Sequence, residues 1–195
     1  MTTQIEKRRY TKEEYLALEE TAQVKSEYRD GEIIPMAGGT TNHNKIAGNL
    51  YVNFRVAFKQ QNYEIFIGDV RLSIPRYNIY TYPDVMIFQE RPIYEGKGTT
   101  TVTNPLIIIE VLSSSTSNYD KGKKFRYYRS LPSFKEYILI DQYSLFVEHF
   151  TKTEDCKWLL SEYEKEDAIL SFVSLDFAIT LQDIYQRVDF NLNEE

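Results

Sequence analysis

The 195-residue chain reads as a mixed α/β (α+β) protein built on a sheet core, and three observations predict it. Hydrophobic patterning runs in the order helix, several strands, helix, strands. Residues 105–112 carry a nearly continuous apolar run, Leu-Ile-Ile-Ile-Glu-Val-Leu after Pro105, of the kind found in strands covered on both faces. The length suits one complete core, and no repeat, low-complexity stretch or linker divides it, so one domain over residues 1–195 is expected.

The elements follow in order. Thr11 with Glu14 forms a capping-box pair, and Tyr15, Leu16 and Leu18 behind it predict a short amphipathic helix. Residues 28–34, Tyr-Arg-Asp-Gly-Glu-Ile-Ile, predict a hairpin, because Asp-Gly favours the turn that joins twisted strands. Ile46, Leu50, Phe54 and Phe58 recur at helical spacing, so a first large helix is expected over 41–61. Strands are expected over 64–74, 79–89 and 105–112. Pro83 has no N–H for a ladder and marks a strand start or irregularity. Ser117-x-x-Asp120 opens a second helix to about Ser130, stopped by Pro132. Residues 136–141 and 145–150 predict a strand pair turning at Gln142-Tyr143. A strand near 158–163 and a short helix near 181–186 close the chain.

Composition narrows the function. A formal net charge of −6 argues against a general nucleic-acid coat, which needs clustered Lys and Arg. It leaves a nuclease open, since that needs carboxylates for metals and only a local basic surface. Cys156 is the only cysteine, which excludes an internal disulfide and a thiolate metal cluster and favours a reducing, intracellular setting. Residues 1–10 are polar and charged, unlike a secretory signal. No apolar run approaches the roughly 20 residues of a membrane helix, so a cytoplasmic protein with no membrane partner is expected. Sixteen Tyr against one Trp leaves core, interface and ligand contact open as explanations.

Three residues stand out chemically. Glu110 interrupts the most apolar strand, on the face that the period-two rule gives to Leu106, Ile108 and Leu112. A buried carboxylate must be paired, protonated or bound to a cation; the competing reading is a strand-end Glu in solvent or bridged to an Arg. Asp84 opens the apolar stretch Val85-Met86-Ile87-Phe88, and a turn-type Pro-Asp pair is its competing reading. Two acids at the mouths of adjacent strands could chelate one hard cation, with water and a substrate phosphate completing the shell. Lys124 lies in Asp120-Lys121-Gly122-Lys123-Lys124-Phe125-Arg126-Tyr127-Tyr128-Arg129, the local basic surface missing from the overall charge. A Lys against the scissile phosphate would stabilise developing charge. The alternative is a surface Asp120–Lys124 ion pair worth a few tenths of a kcal/mol, and spacing does not distinguish Lys123 from Lys124. Phe125 and Tyr128 either stack on bases or pin the helix to a sheet.

The ordered set Tyr82-Pro83-Asp84-Val85, then 109–116 as Ile-Glu-Val-Leu-Ser-Ser-Ser-Thr, then Asp120-x-x-x-Lys124, resembles the Uma-two family of restriction-endonuclease-like proteins in the PD-(D/E)XK nuclease superfamily. Pro83-Asp84 matches the PD half-motif and Glu110 the second acid. Position 112, where the superfamily usually has Lys, is Leu; Lys124 matches the family's relocated Lys on the following helix. Similarity extends through Glu27-x-x-x-Gly31-x-x-x-x-Met36, His43 and residues 136–141. The resemblance implies a restriction-endonuclease-like core, a central mixed sheet flanked by helices, and magnesium- or manganese-assisted phosphodiester hydrolysis with DNA as substrate. Asp84 and Glu110 would hold one or two cations, together with a backbone carbonyl near Val111. Glu27, which matches the family's early acid, would join them or serve as a hairpin-edge charge. His43 is a candidate substrate contact or base, against a capping or surface role that is favoured for such a His. Lys121, Lys123 and Arg126 are candidate substrate-binding residues.

Asp69 is expected to be structural or paired with Arg71, and the serines of 113–117 to cap a helix, since no GxSxG turn surrounds them. Cys156 and His149 make no recognisable pair. Two rival functions remain: a nucleic-acid-binding module of the same fold without turnover, and a scaffold that binds another protein through an aromatic surface. A homodimer would suit two-fold recognition of duplex DNA.

Overall fold

A computed structural model of the chain describes residues 8–114 and 116–192. Residues 1–7 of the polar amino-terminal stretch, and Ser115 of the serine run read as a cap, lie outside the described residues. Helix α1 (Lys12–Glu19) starts on the expected capping box: Thr11 Oγ1 accepts from Glu14 N at 3.1 Å and Glu14 Oε2 from Thr11 N at 2.8 Å. Strands β1 (Ser26–Arg29) and β2 (Glu32–Pro35) pair antiparallel around Asp30 and Gly31, whose φ angles of 44° and 100° carry the turn. Helix α2 (Thr41–Ala57) buries Ile46, Leu50 and Phe54. It stops short of the expected end because Phe58 leaves helical geometry and places its ring in the core.

The strands expected over 64–74 and 79–89 are each broken in two. The first becomes β3 (Tyr63–Ile67) and β4 (Arg71–Ile74), turned apart at Gly68, which sits at φ 64°. The second becomes β5 (Ile79–Thr81) and β6 (Val85–Gln89), interrupted at Tyr82-Pro83-Asp84, where proline has no ladder donor. The two breaks meet: Gly68 N donates to Asp84 O at 2.9 Å. The outcome is one long hairpin bent across its middle, with β3 and β6 in one sheet and β4 and β5 in another. Hydrophobic patterning records the strand residues on both sides of such a bend but not the change of sheet.

Beyond it come β7 (Thr101–Val102) and β8 (Ile107–Leu112), then α3 (Ser117–Tyr119), a π-helical turn (Asp120–Lys124) and α4 (Phe125–Tyr128). These last three form one helical run where a regular helix to Ser130 is expected. Strands β9 (Glu136–Asp141), β10 (Val147–Lys152) and β11 (Trp158–Tyr163) follow near their expected positions. A short β12 (Ile169–Ser171), β13 (Ala178–Thr180) and α5 (Leu181–Ile184) end the fold. Strands as short as β7, β12 and β13 offer too few positions for alternation to show.

The six-stranded sheet has the order β11-β10-β9-β8-β6-β3, antiparallel except for the parallel β8–β9 pair, and the five-stranded sheet the order β2-β1-β5-β4-β7. Strand β8, buried throughout, lies inside the mixed sheet and divides two cores. Ile107, Ile109 and Val111 join α2, α5 and the β12–β13 hairpin on one face. Ile108 and Leu112 face the second core, built with Leu72, Ile74, Phe125 and Tyr128. Phe125 and Tyr128 therefore pin the helix to the sheet. Leu106 lies just before β8 and packs into the first core, so it does not share Glu110's face as period two suggests. Among the described residues no helix is long and apolar enough to cross a membrane.

Candidate active site

The β6–β8 register sets the site. Val85 opposes Ile109 in the antiparallel ladder, so Asp84, one residue earlier, arrives opposite Glu110. Asp84 is oriented by the Val111 N–H, which donates to its Oδ2 at 2.7 Å, while its own N–H reaches Glu110 Oε2 at 3.4 Å. The His43 Nε2 lies 3.1 Å from Asp84 Oδ2. Burial works against the charged imidazolium, but the Asp84 carboxylate outweighs it and holds the His43 pKa above its ordinary value.

Glu110 is only 3 % exposed. Its Oε1 accepts from the Tyr128 hydroxyl at 2.6 Å and pairs with Lys124 Nζ at 2.9 Å. Burial pushes the Glu110 pKa up to about 8; Lys124 opposes the shift, and the Asp84 and Asp120 carboxylates add to it. Lys124 also lies 3.2 Å from Asp120 Oδ1 and 3.7 Å from Glu27 Oε1. Burial disfavours its charge, yet Glu110, Glu27 and Asp120 together keep its pKa well above the usual value. Asp120, Lys124 and Tyr128, spaced by four, reach one region from one helical run, and the first two belong to its π-helical turn. Such turns recur at functional sites. The Asp120–Lys124 pair is therefore buried, not the surface pair of the competing sequence reading.

Glu27 comes from β1, in the other sheet. It is buried, accepts from Thr81 Oγ1, and holds Arg29 through Nε at 3.0 Å and through Nη2. Burial raises its pKa, but Lys124 and Arg29 more than offset this and leave it lowered. The cluster thus draws on both sheets, the bend between them, the π-helical turn and the start of α2.

A family model described as "Putative restriction endonuclease", named Uma2, matches residues 12–182. The chain belongs to the Uma2 family. Two Synechocystis sp. proteins are similar to this Uma2 chain. The protein sll1609 is 45 % identical over 162 residues, covering 83 % of this chain and 92 % of its own. The protein slr1290 is 35 % identical over 179 residues, covering 91 % and 92 %. A crystal structure from Anabaena variabilis, described as a "putative nuclease belonging to DUF820", superposes with a TM-score of 0.72 at 21 % identity, over 90 % of this chain and 97 % of that one. The Uma2 chain accordingly has a restriction-endonuclease-like α+β fold.

Among the described residues of the Uma2 chain no three His, Cys, Asp or Glu side chains form a metal-holding group. Magnesium does not need three, since it is ordinarily held by one or two carboxylates, with water and substrate phosphate completing the shell. Asp84 and Glu110 supply such a pair. Among the described residues Lys124 pairs with Glu27, Glu110 and Asp120 and Arg29 with Glu27, while Asp84 pairs with His43 and with no permanent cation. These residues fit a divalent cation.

The structure gathers Asp84, Glu110, Lys124, Glu27 and His43. His43 lies at the acid cluster and not at a bare surface; Thr40 caps α2 in its place, accepting from His43 N at 3.1 Å. Lys123 is exposed while Lys124 is buried in the cluster, which separates the two. Lys121 pairs with Glu148, and Arg126 lies over the Tyr77 ring at 6.0 Å. Asp69 pairs with Lys25, not Arg71, whose Nε donates to Thr101 Oγ1 at 2.9 Å. His149 pairs with buried Glu136 at 2.6 Å, and Cys156 is exposed.

Sequence reasoning missed Arg29, Tyr128 and Gln142 as parts of this region. Gln142 is fully buried: its Nε2 donates to Leu112 O at 2.8 Å and its Oε1 accepts from Thr40 Oγ1, tying the start of α2, and so His43, to the end of β8. The one available signal was the four-residue spacing that places Tyr128 after Lys124.

Proposed function

We propose that this chain is a metal-dependent endonuclease that hydrolyses phosphodiester bonds in DNA, using magnesium or manganese. One observation carries the reading: Asp84 opposes Glu110 across adjacent strands, with Lys124 Nζ 2.9 Å from Glu110 in a buried charged cluster beside the second apolar core. Asp84 and Glu110 would hold the cation, with Glu27 the third acid of the cluster. Bound there, the ion would lower the pKa of a water and offset charge on the phosphate. Val111 N–H and the Tyr128 hydroxyl fix the two carboxylates before substrate arrives. Lys124 holds positive charge beside them, and Asp120 keeps it in place. His43, partly exposed beside Asp84, is able to hold a proton at Nε2, shared with the Asp84 carboxylate. Lys121, Lys123 and Arg126 would attract the nucleic-acid backbone from the helix surface.

The test is cleavage of single- and double-stranded DNA and of RNA by the purified chain with either metal. Metal-dependent nicking that disappears in Asp84→Ala and Glu110→Ala is the expected result. No product on any DNA overturns the catalytic reading, and salt-sensitive binding without product would identify a non-catalytic nucleic-acid-binding module. Variants that cleave as well as the parent overturn the site.

A further inference from the structure

The acid cluster has a floor and a rim. Glu27, Glu110, Asp120 and Lys124 form the floor, with side chains 9 % exposed or less. Lys124 is enclosed by three carboxylates, so a bulky phosphodiester strand meets little of its charge. Asp84, His43 and Arg29 form the rim, with side chains 20 %, 22 % and 29 % exposed. Arg29 is the one permanent cation among these described rim residues.

Its guanidinium is held in place by its neighbours. Nε and Nη2 both engage Glu27 Oε2, and the plane lies over the Tyr119 ring, 3.7 Å from its centroid. Among the described residues no group accepts from the third nitrogen, Nη1. The hydroxyl of that same Tyr119 is buried and has no hydrogen-bond partner among the described residues. A planar cation fixed by a carboxylate and an aromatic face, with donors to spare, is built to meet an oxyanion.

We infer that Arg29, braced by Glu27 and Tyr119, binds a backbone phosphate of the nucleic-acid strand at the rim of the site. The inference rests on the nuclease reading and adds a substrate contact outside the basic helix. Lys124 then offsets charge on the floor while Arg29 meets the strand, a substrate contact that sequence reading placed only on the basic helix.

The test is fluorescence anisotropy of a labelled DNA duplex in EDTA, where no turnover occurs, repeated between roughly 50 and 200 mM salt. Arg29→Met should weaken binding about tenfold at low salt and reduce the slope of log affinity against log salt by about 0.9, the signature of one lost phosphate contact. Arg29→Gln, which can still donate to Glu27, should do the same and decides the matter if circular dichroism shows Arg29→Met unfolded. Folded Arg29→Gln with parental affinity and slope overturns the inference and leaves the nuclease reading standing. A parent chain without salt-sensitive binding overturns the nucleic-acid reading itself, and the inference with it.

Discussion

Replacing Lys124 with Met removes one charge and leaves a chain of similar volume among three acids. At an effective dielectric of about 20, its separations of 2.9, 3.2 and 3.7 Å correspond to roughly 4–6 kcal/mol of attraction to each carboxyl that is ionised, a condition Glu110 meets only as pH approaches about 8. Desolvating the ammonium offsets much of that, so the sum overstates the net effect. Removing one partner of a buried pair typically costs about 3–5 kcal/mol, because the remaining charge is left uncompensated. For a chain of this size that lowers Tm by roughly 6–20 °C. The pH dependence is diagnostic. Without Lys124 less positive charge opposes the burial of Glu110 and Glu27, so both hold their protons to higher pH than in the parent. The variant therefore loses stability as pH rises from the unfolded carboxyl pKa, about 4.3, towards the raised folded values. Thermal denaturation followed by circular dichroism at pH 5, 7 and 8 should show a deficit that is smallest at pH 5 and largest at pH 8. A Tm within about 2 °C of the parent at pH 7, or a deficit equal at pH 5 and 8, would refute Lys124 as the counter-ion of the cluster.

Two further outcomes follow from the same structure. Glu110 keeps a proton up to about pH 8 through burial, and a cation must displace that proton, so magnesium or manganese affinity measured by calorimetry should rise roughly tenfold per pH unit below 8 and then level off; affinity that is flat with pH would contradict Glu110 as a ligand. Glu136 accepts from Val173 N and Ser174 N and pairs with His149, which pins the β12–β13 connection to the six-stranded sheet. Glu136→Ala should cost about 3 kcal/mol at neutral pH. Burial raises the Glu136 pKa but its hydrogen bonds hold it lowered, so that contribution is present above the unfolded carboxyl pKa and disappears as pH falls through the folded one. Acid titration of both proteins should show the gap narrowing as pH falls, and a gap that stays constant on acidification would contradict this account.

The elements whose identity rests on local chemistry were legible from the chain. Thr11 and Glu14 cap α1 through their own side chains, and Asp30-Gly31 takes the positive φ angles of its turn. The apolar residues of β8 report double-sided burial wherever the strand goes. Asp84 and Glu110 stood out for a related reason, since an acid at or inside such a strand must be compensated. What local pattern could not express was where the compensation comes from. The bend at Gly68 and Asp84 sends one hairpin into two sheets, and only that geometry brings Glu27 and Arg29 from β1 beside a helix nearly a hundred residues later. The π-helical turn that carries the buried Asp120 and Lys124 likewise has no signature in residue spacing. Sequence named the acids because burial of charge is a local cost; tertiary structure chose their partners because Coulomb attraction depends on distance in space, not along the chain.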